Sequence, residues 1–449
     1  MLLRVEKRQE MALKASPEFE HRIGIWYYAT QSAGLGGRIK TMPTDFVVRE
    51  VTNRAEGTEG EYLIAELTKE NWDTHSVARE ISNRLRVSRN RIGFAGTKDK
   101  FAVTTQKISL WDTDETELER VRIADVSLDP IGRSNKAVSL GDLYGNEFSI
   151  VIRNIDGAKE EITESITAIT HELAGGIPNF FGVQRFGVNR PITHLVGRHL
   201  VEGSIKAAVL SYISDIFPDE SEAAKEARAL CAQGDLKACL KRMPLFLRYE
   251  RAMLNELVKS TDGERGEAQY LAAFAVLPKN LQKLFVHAYQ AYLFNLVVSH
   301  RLQQNLPLNE ALVGDVVCFR NERGLADPDR SEKVTEDNVE GINRLIKRGR
   351  AFVTAPLFGS ETELPRGVVG EIEQTVLEAE KVQLHDFYSE KLQELSSKGT
   401  RRPVLVPVAV TCNAIQGDEL NPGRFKATLQ FFLPKGSYAT VLLREYMKH

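Results

Sequence analysis

The chain predicts an α+β fold, and three observations carry that prediction. Runs rich in β-forming residues, separated by turn residues, dominate its first third. Helical periodicity takes over in the middle, and strand-like runs return only near the end. The early strands alternate with hairpin-like turns and one helix rather than with regular crossover helices, which argues against a parallel α/β sheet. Strands at both ends with helices between them predict a discontinuous domain interrupted by an insertion.

Composition sets the frame. With 449 residues, 42% hydrophobic and 27% charged, the chain has room for two or three domains with a large core. Cys231, Cys239, Cys318 and Cys412 form no CxxC pair. Neither a zinc site, a redox motif nor a disulfide framework is indicated, and a reducing, cytoplasmic setting fits. Charges from Arg4 onward and the lack of an apolar h-region argue against a signal peptide. No run has the length needed to span a membrane.

The elements follow in order. Residues up to about Gly37 read as a peripheral extension, with Ile23 to Tyr28 as a short strand. Asp45 to Val51 is a strand, Gly57 and Gly60 mark a turn, and Tyr62 to Thr68 is a second strand in a hairpin with the first. Asn71-Trp72-Asp73-Thr74 ends in a helix N-cap, and Val77, Ile81 and Leu85 then recur on one helical face. Ile92 to Ala95 and Val103 to Leu110 are strands, as are Ala137 to Leu140 and Glu147 to Asn154. Ile162 to Leu173 is an amphipathic helix, and helices then dominate to about Gln304, the longest starting at Leu281. Asp327-Pro328-Asp329-Arg330 reads as a polar loop, and Gly370 to Glu394 as a charged helix. Strands return at Val404 to Thr411 and Phe425 to Leu433 before a capped helix that ends the chain.

One stretch stands out for chemistry: Gly93-Phe94-Ala95-Gly96-Thr97-Lys98-Asp99-Lys100. Glycine permits conformations and close approaches that a Cβ forbids. Asp99 falls on a loop between two strands, where rigid scaffolds display reactive groups, and lysines on both sides favour its ionised form. An ionised carboxylate held there can serve as nucleophile or base. The segment from Arg79 to Lys107 holds eight basic and two acidic residues, a cluster able to seat phosphates although the whole chain carries a net charge of −2. A P-loop is excluded by order: threonine precedes the lysine and a carboxylate follows it, where the motif requires Lys and then Ser or Thr. No Rossmann fingerprint appears either.

With Ala102-Val103-Thr104-Thr105-Gln106, this stretch resembles the signature of the TruD family of tRNA pseudouridine synthases. Lys40 with Asp45 to Glu50, Lys69 to Thr74, Gly145 to Phe148, Asn179 to Gly187 and Leu433 to Thr440 resemble further family motifs, in the family's order. The resemblance implies a pseudouridine synthase fold, a mixed and mostly antiparallel sheet flanked by helices and interrupted by a largely helical insertion domain. It implies a catalytic domain at 38–177 and 405–449, an insertion at 178–404 and an N-terminal extension at 1–37.

The resemblance also implies the reaction, isomerisation of uridine to pseudouridine at position 13 of tRNA. Asp99 aligns with the family's nucleophile, and Phe46, Asn146 and Tyr438 with contacts to the substrate uridine, Tyr438 standing where the bacterial form has phenylalanine. Lys40 aligns with a lysine near the nucleophile. Lys98, Lys100, Arg89, Arg91 and Arg185 are candidates for RNA phosphates. No redox change or net hydrolysis occurs, so no cofactor and no metal are expected. The expected partner is tRNA, with no obligate protein partner, and the protein is expected to be a monomer. The alternative is an RNA-binding or RNA-chaperone module in which catalysis is incidental.

Overall fold

A computed structural model describes residues 13–259 and 266–448. The first twelve residues, with the leader reading that rested on Arg4, lie outside the described residues. The described chain divides into two compact units. One holds 29–177, 321–325 and 406–448; the other holds 13–28, 178–320 and 326–405.

The first unit is built on an eight-stranded sheet. Its strands are β1 (Phe46–Val51), β2 (Tyr62–Glu70), β3 (Ile92–Phe94), β4 (Val103–Trp111), β5 (Val126–Ser134), β6 (Gly145–Ile155), β11 (Val410–Gly417) and β12 (Phe425–Pro434). The order is β11-β12-β6-β1-β4-β2-β5, with β3 paired to β4. Only β1 and β4 run parallel; the other pairs are antiparallel. The expected mixed, mostly antiparallel sheet is therefore present.

Its local pairing differs from the sequence expectation in two respects. β1 and β2 do not form a hairpin, because β4 lies between them and pairs with both. The connection after β1 instead bonds to β5, where Gly57 and Arg133 exchange backbone hydrogen bonds. The strand expected at Ala137 to Leu140 is also absent, and β5 takes the outer place beside β2.

Helix α1 (Thr74–Leu85) follows β2. The Asp73 carboxylate caps it by accepting from the Ser76 N–H, a contact worth about 1 kcal/mol. Arg86 ends it at φ 56°, in the left-handed region. Its Val77, Ala78 and Ile81 are buried against Leu63, Ala65 and Leu67 of β2 and Ile108 and Leu110 of β4. Each large apolar side chain contributes on the order of 2 kcal/mol by leaving water. Ile81→Asp would therefore separate helix from sheet. Helix α2 (Lys159–Glu172) and the terminal helix α4 (Ala439–Met447) are joined by Thr170 and the Tyr446 hydroxyl at 2.9 Å.

The second unit is mainly helical, with α3 (Lys279–Gln303) its longest helix. It also carries a four-stranded sheet in the order β10-β9-β7-β8. These strands are β7 (Val316–Arg320), β8 (Ala326–Lys333), β9 (Ala351–Leu357) and β10 (Thr400–Pro403). The polar run Asp327 to Arg330 is not a loop but part of β8. An edge strand exposed to water tolerates both those charges and Pro328. The charged helix expected to reach Glu394 stops at Glu380, with Lys381 left-handed.

Three further expectations change. Cys231 and Cys239 are joined by a disulfide, so the reading of scattered, reduced cysteines does not hold for them. The segment before Gly37 is not peripheral throughout: Ile23, Ile25, Tyr28 and Leu35 are buried. Ile23 to Tyr28 forms no strand and makes a single bridge, Ala15 to Tyr27.

Candidate active site

β3 and β4 pair antiparallel, and the loop 95–102 between them holds Asp99. Gly93 is required by close approach, since a Cβ there would meet the Val138 carbonyl oxygen at 2.4 Å. Gly96 has no such constraint, because nothing lies within 4 Å of its missing Cβ.

The Asp99 side chain is 48% exposed, and its carboxylate accepts from Lys40 Nζ at 2.9 Å. The same ammonium lies 4.2 Å from the centre of the Phe46 ring, a cation–π distance. Lys40 itself sits at φ 58°, a left-handed turn that precedes β1. Thus Asp99 joins Lys40 and Phe46, more than fifty positions earlier in the sequence, in one contact cluster.

The inward face of β1 presents Phe46, Val48 and Glu50. Cross-strand pairing sets Glu50 opposite Asn146 and Val48 opposite Phe148. Phe148 stacks on Phe431 of β12 at 5.2 Å and meets Phe46 edge-on at 6.2 Å. The Asn146 side-chain oxygen is buried with no hydrogen-bond partner, an acceptor held out of water without compensation. Tyr438 is half-buried and occupies the N-cap position of α4.

The basic candidates divide sharply. Lys98 points inward, its ammonium 2.5 Å from the Glu50 carboxylate and only 6% of its side chain exposed. It therefore touches neither the Asp99 carboxylate nor solvent, which corrects its expected role at phosphates. Arg91 donates to the Trp111 and Asp112 carbonyls and tethers the end of β4. Arg89 donates to the Ile92 carbonyl at 2.7 Å and lies over the Phe94 ring. Both are engaged in holding the fold. Lys100 is exposed beside Asp99. Arg185 belongs to the other unit, 5.7 Å from the Phe181 ring.

Several residues that the motifs contain, but to which the sequence assigns no role, hold this loop. Gln106 Nε2 donates to the Gly96 carbonyl at 3.0 Å, and the Lys98 N–H donates to Thr74 Oγ1 at 2.9 Å. Lys69 Nζ donates to the carbonyls of Trp72 at 2.5 Å and Asp99 at 3.0 Å. A signal for them was present. Lys69 continues the inward phase of Leu63, Ala65 and Leu67, and Glu50 that of Phe46 and Val48. A charge in the buried phase of a strand demands a partner.

Among the described residues, no helix is long and apolar enough to cross a membrane.

The comparisons with known proteins agree with one another. The family model described as tRNA pseudouridine synthase D (TruD) matches residues 22–446. A tRNA pseudouridine synthase D of Methanosarcina mazei is 52% identical over 435 residues, covering 96% of this chain and 98% of that protein. One of Natronomonas pharaonis is 43% identical over 450 residues, covering 97% and 98%. A solved structure of the Methanosarcina mazei TruD superposes with a TM-score of 0.87 at 51% identity, covering 97% of this chain and 98% of that one.

Proposed function

The chain belongs to the TruD family of tRNA pseudouridine synthases, isomerases that convert uridine to pseudouridine in tRNA, and we propose that Asp99 is its nucleophile and position 13 of tRNA its target. The supporting observation is the Asp99–Lys40 pair. It is a half-exposed carboxylate with its charge partner at 2.9 Å, on a loop whose main chain is bonded to buried side chains.

The reaction breaks the C1′–N1 bond, turns the uracil and forms a C1′–C5 bond. N1 gains a proton as C5 loses one, so atoms balance without a co-reactant. The carboxylate acts ionised, with the Lys40 ammonium as its ion-pair partner. The target base leaves its stack before a side chain reaches it. Phe46 offers a ring face to that base, and the Lys40 ammonium that covers the ring moves aside as it enters. Asn146 pairs with the uracil edge, its vacant oxygen accepting from N3–H. Tyr438 closes the other side, and Lys100 serves the phosphates. Residues 178–404 act as the insertion domain, between catalytic segments 38–177 and 405–449. The protein works in the cytoplasm as a monomer.

Mapping pseudouridine in unmodified tRNA tests this reading. Wild type is expected to place it at position 13. Asp99→Asn loses activity by roughly 10⁴-fold or more while still binding tRNA. Robust product from Asp99→Asn would sink the assignment, and tRNA binding by wild type without any product would favour a binding module.

A further inference from the structure

Lys69 is an unusual residue for its place. It is 0% exposed, in a strand phase otherwise occupied by Leu63, Ala65 and Leu67. Enclosing an ammonium costs several kcal/mol, and a well-packed apolar residue is often as stable or more so. Its hydrogen bonds go not to a carboxylate but to main-chain carbonyls, those of Trp72 and of Asp99. One is the loop before α1; the other is the backbone of the reacting residue itself.

The rest of the loop is gripped in the same manner. Gln106 holds the Gly96 carbonyl, Thr74 the Lys98 N–H, and Glu50 the Lys98 ammonium. Each of these grips falls on a residue before Asp99. Lys69 alone among them bonds Asp99, and it does so at the peptide group from which the carboxylate projects. The charged groups acting on its ammonium are Asp99 and Asp73, which favour the charged form, and Lys98, which opposes it. Burial is the larger influence and pushes Lys69 down to about 8.

We propose that Lys69 is a positioning residue for the reaction, a buried ammonium that fixes the main chain at Asp99 and so aims its carboxylate. The inference rests on Asp99 being the nucleophile. Lys69 touches no substrate atom. Its effect falls on the chemical step and not on capture of tRNA, since aim matters only once the target base is in place. A displacement of about 1 Å at a reacting group costs on the order of 100-fold in rate.

The test is the single-turnover rate constant with full-length protein in excess over unmodified tRNA. Under that condition the constant reports the chemistry of the folded molecules and is insensitive to how many are folded. Lys69→Met, unbranched and of similar length, is expected to lower it by about 100-fold. Its tRNA dissociation constant should stay within threefold of wild type, and its melting temperature should be equal or higher. If Lys69→Met does not fold, Lys69→Gln, which removes the charge and keeps a donor, is read in its place. A constant lowered tenfold or more with tRNA affinity kept supports the proposal, and a smaller change overturns it. A merely structural role would lower the melting temperature and the active fraction but leave that constant unmoved. Asp99→Asn, run in parallel, separates the two failures. If it modifies tRNA at the wild-type rate, the nucleophile reading falls and the Lys69 proposal with it. If it is inactive while the Lys69 variant is not slowed, the Lys69 proposal alone falls.

Discussion

Two buried polar networks, one in each unit, contrast a charge cluster that builds a fold with one proposed to serve a reaction. In the mainly helical unit, Arg228 is 0% exposed, and its guanidinium reaches Glu220 at 2.8 Å and Glu250 at 2.9 Å. It also donates to the Tyr212 and Ile213 carbonyls. Arg190 lies beside the same carboxylates, and burial first, then Arg228, pushes it down to about 10. Every charge there is answered by another inside the cluster. The network around Asp99 is buried at its base, through Lys69, Gln106 and the Glu50–Lys98 pair, but ends in a carboxylate that is 48% exposed. Enclosure on all sides is what a structural network needs. A rigid base under one open charge is what a reactive group needs.

The comparison can be broken most decisively at Arg228. Arg228→Met leaves Glu220 and Glu250 short of a cation, and removing one partner of such a buried cluster costs about 3–5 kcal/mol. Thermal unfolding should show that loss, while the single-turnover constant of the molecules that remain folded stays within threefold of wild type. A slowed chemical step would mean that the enclosed cluster also serves the site.

A pH series sharpens the same contrast with a somewhat smaller effect. His194 is buried between the Phe186 and Tyr292 rings, and burial pushes it down to about 4, partly opposed by a hydrogen bond to the Arg22 backbone. The unfolded chain takes up this proton near pH 6.5 and the folded chain does not. Its contribution to stability is therefore complete above pH 6.5 and is lost as pH falls toward 4, amounting to about 3 kcal/mol. Burial lowers His287 and His300 as well, so all three act in one direction. Unfolding midpoints in denaturant measured from pH 7 to 4 should fall, and His194→Phe should make the slope shallower. An unchanged slope would contradict a neutral, buried His194.

The smallest effect is expected at Tyr438. The proposed stacking on the base survives Tyr438→Phe, and the bacterial family form is expected to carry phenylalanine there. The single-turnover constant should stay within about threefold, equivalent to less than about 1 kcal/mol. A loss of tenfold or more would show that the hydroxyl has a task of its own.

How much of this was legible beforehand varied with the range of the interaction. The helix after Asp73, the strands at Phe46 and Tyr62, and the long helix near Leu281 were readable because caps, β-branched runs and 3.6-residue spacing act over a few residues. Missed features depended on distant partners. β8 reads as a polar loop until its edge position explains its charges. Lys69 carries no role of its own in the sequence until the Asp99 carbonyl comes within hydrogen-bond reach of its ammonium.

By itself the sequence determined the local grammar of the site: a short buried strand, glycines that permit close approach, and an acidic residue on the loop that follows. Only the tertiary structure decided which cation serves Asp99. The adjacent Lys98 turns inward to Glu50, and Lys40, 59 residues away, holds the carboxylate. Successive side chains in extended backbone point to opposite sides, so a neighbour along the chain is seldom the neighbour in space.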